Sequence, residues 1–276
     1  MTGTSERWRL IVTPPRSGAY NMALDHAILE EVSAGNAPPT LRLYAWDPPC
    51  LSLGQAQPAA DVDMARLQAR GWDVVRRPTG GRAILHTDEI TYSVALPADH
   101  PLVAGDIVTS YRRLSAALLR ALQQLGLGAQ ADKRADRLPE RAKGPVCFEV
   151  PSDYEITANG CKLIGSAQMR RANGVLQHGS LPLTGDITRI CDTLAFPDEA
   201  VREKARVRVR QRATTLEAVL GRAVTWDEAA DALKTAFAST FALHIGPPEP
   251  PTSAEAARAE ALRREIYAAE TWTLRL

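Results

Sequence analysis

Three observations in the 276-residue sequence predict an α+β fold. Strand-like runs occupy the first two thirds of the chain, helix-like runs occupy the last third, and no linker separates the two. The third observation is a pair of Asn-Gly dipeptides, 159–160 and 173–174, that punctuate three strand-like runs in the manner of a β-meander. A chain of this length buries a sizeable core, and the reading is one domain over 1–276.

In chain order, Tyr20–Val32 carries Met22, Ala23, Ala27, Ile28 and Val32 near helical spacing, with Asn21 read as its cap. Leu41–Trp46 alternates like a strand, and Cys50–Gly54 is a second short apolar run. A helix is expected around Asp61–Arg70, closed by Gly71. The runs Trp72–Arg77 and Ile90–Leu96 flank a Thr-Gly-Gly turn and a short apolar piece. Asp106 is expected to cap a helix over Ile107–Leu125 with the stripe Ile107, Tyr111, Leu114, Leu118, Leu122 and Leu125. The charged, aperiodic Ala131–Lys143 reads as an exposed loop. The meander strands are Tyr154–Thr157, Cys161–Met169 and Val175–Leu183. Thr214 and Thr215 open a short helix ending near Gly221, and Thr225 with Glu228 forms a capping box for a helix to about Leu243. Ser253–Ala269 is a last, charged helix.

A formal net charge of +1 supplies no global field for nucleic acid or membrane. No apolar run approaches the roughly 20 residues that span a bilayer, and the start shows no basic segment followed by an apolar one. A cytoplasmic location is expected. The cysteines at 50, 147, 161 and 191 show no CxxC pairing, and the histidines have no metal-site spacing.

Reactive thiols need partial exposure and a positive neighbour. Cys147 ends the charged loop just before the meander, whereas Cys50 and Cys191 sit in apolar contexts and Cys161 reads as a strand-start residue. Lys162 leads into Gly165, Ser166 and Ala167, and alternation puts Lys162, Ile164 and Ser166 on one face. A solvated strand lysine is the bland alternative. Glycine inside a strand marks close passage of a ligand or another backbone, where such a lysine polarises a carbonyl or favours a nearby thiolate. Arg76–Arg82, with Arg77, Gly80, Gly81 and Arg82, suits phosphate, a nucleotide or a carrier's pantetheine arm, or is simply a turn. His86, and His178 beside Gly179, are open between structural and ligand-contacting roles. The charge run Arg202–Arg212 reads as a solvated face, with a docking patch for an acidic protein as the sharper alternative.

The segments Asn21–Asp25, RRPTGGRAILHTDEITYS (76–93), CFEVPSDYEI, GCKLIGSAQMR and GVLQHGSLPL, in that order, resemble the biotin/lipoate protein ligase superfamily, and most closely its octanoyltransferase branch. The resemblance covers nearly the whole chain. It implies mixed or antiparallel sheets flanked by helices, a catalytic core over about 33–248, and a helical extension over 249–276. It also implies that Cys147 attacks the octanoyl thioester of an acyl carrier protein and passes octanoate to a lysine of the glycine cleavage H protein or another lipoyl domain. Lys162 is implied to lower the thiol's pKa and hold the acyl carbonyl. Gly80, Gly81, Gly165 and Ala167 are implied to leave room for the acyl chain. No cofactor is implied, because the thioester is already activated. Arg82, where ligases of the superfamily typically carry a third glycine, favours a transferase over an ATP-dependent lipoate or octanoate ligase. An octanoyl amidotransferase between lipoyl domains and a non-catalytic lipoyl-domain-binding module are the other readings.

Overall fold

The computed structural model describes residues 5–128, 130–132 and 155–276. In chain order these form β1 (Arg7–Val12), α1 (Gly18–Ser33), β2 (Thr40–Tyr44), β3 (Cys50–Leu53), α2 (Met64–Ala69), β4 (Asp73–Arg76), β5 (Ile84–His86) and β6 (Glu89–Pro97). There follow α3 (Ile107–Gln124), β7 (Gln130–Asp132), β8 (Glu155–Ala158), β9 (Cys161–Arg170), β10 (Gly174–Pro182), α4 (Glu199–Arg212), α5 (Leu216–Leu220) and α6 (Trp226–Phe241). The chain ends in β11 (His244–Ile245), α7 (Ser253–Leu262), a π turn Arg263–Tyr267 and α8 (Glu270–Thr273). Cys147, most of the Ala131–Lys143 segment and Tyr154 lie outside the described residues.

The α+β class holds, and the sheets are mixed. An eight-stranded sheet runs β11-β1-β2-β6-β10-β9-β8-β7, and a three-stranded sheet runs β4-β3-β5. In the large sheet β1 pairs in parallel with both β11 and β2, and the rest is antiparallel. Strand alternation sorts the two faces of that sheet. Ile90, Tyr92, Val94 and Leu96 of β6 join Leu114, Leu118 and Leu122 of α3 and Leu233 and Phe237 of α6 in the main apolar cluster. The opposite face meets α1, where Ile11, Tyr44 and Leu176 pack with Met22, Ile28 and Leu262. A third cluster joins the small sheet to α2 and α4 through Leu51, Leu53, Leu67, Ala205 and Val209. No helix among the described residues is long and apolar enough to cross a membrane.

Several local expectations change for physical reasons. Ser17, not Asn21, caps α1, with its Oγ accepting from Tyr20 N. Asn21 is buried inside the helix, and its Nδ2 donates to the carbonyls of Arg16 and Ala45. Thr225 accepts from Glu228 N, but the Glu228 carboxylate turns to Arg222, so only half of that capping box forms. The full box occurs at Thr252 and Glu255 instead. Ile107 is exposed, so the predicted stripe of α3 begins a turn later. Gly160 follows Asn159 with positive φ at both, as a tight hairpin turn requires. Gly174 serves a different purpose: a Cβ there would lie 1.9 Å from Ser33 Oγ, so it lets α1 approach β10. The charge run is a helix, α4, and not all of it is solvated. Arg202 is buried and donates to the carbonyls of Cys191 and Leu194.

The C-terminal helices are fastened by buried charge. Glu255, fully buried, accepts from Arg9 of β1 at 3.0 Å and from Thr252 N at 2.7 Å. Arg76, also fully buried, donates to the carbonyls of Gly54, Gln57, Trp272, Thr273 and Arg275. His26 of α1 lies against Tyr267 Oη at 3.1 Å. Burial, helped by the positive charge of Arg171 and opposed by Glu30, holds its pKa down from 6.5 to about 4. The unfolded chain therefore binds this proton first as pH falls. Stability is expected to drop by up to ~3 kcal/mol between about pH 6.5 and pH 4 on this account. In urea melts across that range, His26→Gln should flatten this part of the slope; an unchanged slope would rule His26 out as its source.

Candidate active site

A cavity of about 410 Å³ opens between the small sheet and the α1-facing side of the large sheet. That volume lies within the ~300–1,000 Å³ usual for small-ligand pockets. One wall comes from the small sheet and the turn after β4: Ser52, Arg77, Gly80, Gly81, Arg82, Ile84 and His86. The other comes from β9 and β10: Lys162, Gly165, Ser166, Ala167, His178, Gly179 and Ser180. Met22, Tyr44 and Trp46 add an apolar end. Every candidate site residue within the described part of the chain therefore borders this one space.

Lys162 reaches the cavity through an irregularity that alternation alone does not foresee. Ile156 pairs with Ile164 while Thr157 pairs with Lys162, so β9 carries one extra residue, Leu163. The bulge reverses the parity beyond it. Leu163 and Ile164 both pack in the main apolar cluster, and Lys162 shares its face with Gly165 and Ala167 rather than with Ile164 and Ser166. A Cβ at Gly165 would lie 3.1 Å from Lys162 Cε, so the glycine is where the lysine stem lies. Lys162 is buried, and its Nζ donates to Glu155 Oε1 at 2.5 Å. Ser166 borders the cavity but pairs its hydroxyl with Tyr92 Oη at 2.8 Å. The last turn of α4 abuts this strand, with Thr214 N donating to Lys162 O at 3.0 Å and Cys161 Sγ to Gln211 O at 3.5 Å. Cys50 and Cys191 are fully buried, and burial pushes the Cys50 thiol well up.

Arg77 is buried and braces the opposite wall. Its Nη1 donates to Ser52 O at 2.9 Å, and its Nη2 donates to the carbonyls of Gly80 and Arg82, each at 2.8 Å. Of the two glycines in that turn only Gly81 has positive φ, and a Cβ on it would meet Arg77 Nη2 at 2.9 Å. Gly80 has open space beside it. The close backbone approach belongs to Gly54, where a Cβ would lie 1.9 Å from Gly81 O.

The polar lining is built from buried chains of hydrogen bonds that the sequence does not announce. His178 Nε2 shares a 2.7 Å hydrogen bond with Thr79 Oγ1, and its Nδ1 faces Asp25 Oδ2 at 3.6 Å. Burial lowers the His178 pKa, with Asp25 opposing it. Asp25 accepts from Arg42 Nη1 at 2.7 Å, from Tyr44 Oη at 2.8 Å and from Ser93 Oγ at 2.8 Å. Burial alone would raise the Asp25 pKa, but the Arg42 guanidinium and His178 hold it below the usual range. His86 stacks on Trp46 with ring centroids 3.9 Å apart and sits between Ser52 and Glu89. Asp25, Ser52 and Glu89 are the residues that sequence reasoning passed over. The only signal for them is a polar residue inside an otherwise apolar periodic run.

Residues 17–238 match the family model described as lipoyl protein ligase A/B catalytic domain. The octanoyltransferase LipM of Brevibacillus brevis is 41% identical over 98% of this chain and 99% of its own length. That of Moorella thermoacetica is 42% identical over the same shares, and that of Bacillus subtilis is 37% identical over 88% of this chain and 90% of its own length. Among solved structures, a bi-partite lipoate protein ligase from Thermoplasma acidophilum aligns with TM-score 0.82 at 25% identity, covering 98% of this chain and 96% of that one. A lipoate-protein ligase A bound with ATP aligns with TM-score 0.79, also at 25% identity, over 98% and 99%.

Gly54→Ala should lower stability by ~1–3 kcal/mol in thermal or urea unfolding, because the atom it meets is backbone and cannot rotate away. Gly80→Ala, with open space, should stay close to wild type. Equal effects at the two positions would contradict this account of the wall.

Proposed function

The chain belongs to the lipoyl protein ligase A/B catalytic-domain family, and from that premise we propose that it transfers an octanoyl group from octanoyl-acyl carrier protein to a lysine of the glycine cleavage H protein in lipoate biosynthesis. The observation that carries this reading is a buried lysine, Lys162, set on the wall of a largely apolar cavity, in a chain whose sequence carries Cys147 upstream of that lysine. The Lys162 ammonium favours the Cys147 thiolate, which attacks the donor thioester and releases the carrier's thiolate. The same ammonium holds the developing oxyanion. The acceptor lysine then displaces the acyl group from Cys147, forming an amide. Met22, Tyr44 and Trp46 receive the hydrocarbon chain. The exposed Arg210 and Arg212, one turn from the strand bearing Lys162, suit an acidic carrier or lipoyl domain, and the enzyme works in the cytoplasm.

The solved lipoate ligase with ATP makes an adenylate route the reading to test against. Incubation with octanoyl-acyl carrier protein should add one octanoyl mass to the wild-type chain and none to Cys147→Ala. ATP-dependent transfer of free octanoate that survives Cys147→Ala would instead establish a ligase. Lys162→Ala should slow acylation by ~10²-fold or more, the scale of losing one oxyanion donor. Gly165→Ala, which crowds Lys162 Cε at 3.1 Å, should slow it by at least ~10-fold while leaving the melting temperature nearly unchanged, since the flexible lysine end yields.

A further inference from the structure

Ser52, His86 and Glu89 form a chain that links the two sheets at the cavity wall. His86 Nδ1 lies 2.7 Å from Glu89 Oε1, and His86 Nε2 lies 2.8 Å from Ser52 Oγ. Each of the three is at most 5% exposed, and Ser52 and His86 border the cavity. Proton positions follow from the partners. Glu89 also accepts from Thr91 Oγ1 at 2.5 Å and from Ser180 Oγ. Burial alone would raise its pKa, but His86 and these hydroxyls hold it down, so it is a carboxylate and only accepts. With a neutral ring, His86 therefore carries its proton on Nδ1, and Nε2 accepts from Ser52 Oγ–H. Arg77 Nη1 donates to Ser52 Oγ at 3.2 Å. Among the described residues the Ser52 hydroxyl thus donates to His86 and accepts from Arg77, which leaves one Ser52 lone pair for a donor in the cavity. Trp46, stacked on His86 at an interplanar angle of 11°, fixes the ring in this alignment.

We propose that Ser52, His86 and Glu89 are the proton relay for acylation of the acceptor amine. The proposal rests on the thioester reading above and concerns its second half only. Exchange of the acyl group from a carrier thioester to a Cys147 thiolate moves no proton. Acylation of an amine must release one. In that step the acceptor's neutral amine bonds to the acyl carbon, and the C–S bond breaks with its electron pair on sulfur. The surplus N–H proton passes to Ser52 Oγ while the Ser52 proton passes to His86 Nε2. The imidazolium, paired with Glu89, then returns the proton through Ser52 to the Cys147 thiolate. Arg77 places Ser52 Oγ without taking part, since it has no site to accept a proton.

The test separates the two half-reactions in Ser52→Ala, His86→Gln and Glu89→Gln. Acyl-enzyme formation from octanoyl-acyl carrier protein is followed by intact mass. Single-turnover transfer from the isolated acyl-enzyme to H protein is followed in a second mixing. Acylation is expected to stay within about threefold of wild type, while transfer falls by ~10²–10⁴-fold, the usual contribution of a positioned base. Ser52→Thr, which keeps the hydroxyl, should restore transfer relative to Ser52→Ala. Transfer that stays at the wild-type rate, or an equal fall in both half-reactions, would overturn the relay and leave the chain as a structural tie. A wild-type chain that forms no acyl-enzyme would overturn the thioester reading and the relay with it.

Discussion

The buried pairing of Asp25 with Arg42 is the constraint on which the site depends. Two fully buried charges, 2.7 Å apart, join the middle of α1 to β2, and the remaining acceptor capacity of Asp25 is taken by Tyr44 and Ser93. Removing either charge would leave the other stranded, which costs ~3–5 kcal/mol in a buried pair. The pair also does more than fasten a helix. Asp25 faces His178, and His178 meets Thr79 of the turn after β4 across the cavity. The same carboxylate therefore sets the distance between two walls that belong to different sheets.

The smaller sheet is held at the other end by a second set of buried polar groups. Arg77 fixes the Gly80–Arg82 turn by its own neighbours' carbonyls, and Arg76, its neighbour in sequence, grips the C-terminal residues. Adjacent arginines thus face opposite ways, one toward the cavity and one toward the chain's end, as strand alternation requires. The C-terminal helices bear on the cavity wall through β4 and through α1, although none of their residues borders the cavity.

Much of this was legible in the sequence where the determining contacts are local. The Asn159-Gly160 hairpin, the Asp106 and Thr215 caps and the Gly221 stop are each specified by residues within a few positions, and all appear. What was not legible depends on distant partners. β1 is an ordinary apolar run until β2 and β11 lie beside it. α4 shows little apolar periodicity because arginines such as Arg202 occupy inward positions and find carbonyls there. The candidate site residues came from the resemblance and from glycine placement, and the described ones border one cavity. Their supporting polar chains could not be read, because a serine or glutamate within a strand looks the same whether it faces solvent or a buried histidine.

The extra residue at Leu163 carries a consequence for how such a fold diversifies. Parity along a strand is a binary variable, and one inserted residue switches it for everything on one side of the insertion. Here the switch lies between the lysine and the small residues that make room for it. The cavity could thus exchange a cationic wall for an apolar one through a single insertion or deletion, with the sheet order, the helices and the opposite wall untouched. A change of chemistry that would otherwise need several coordinated substitutions is, at this position, one step in chain length.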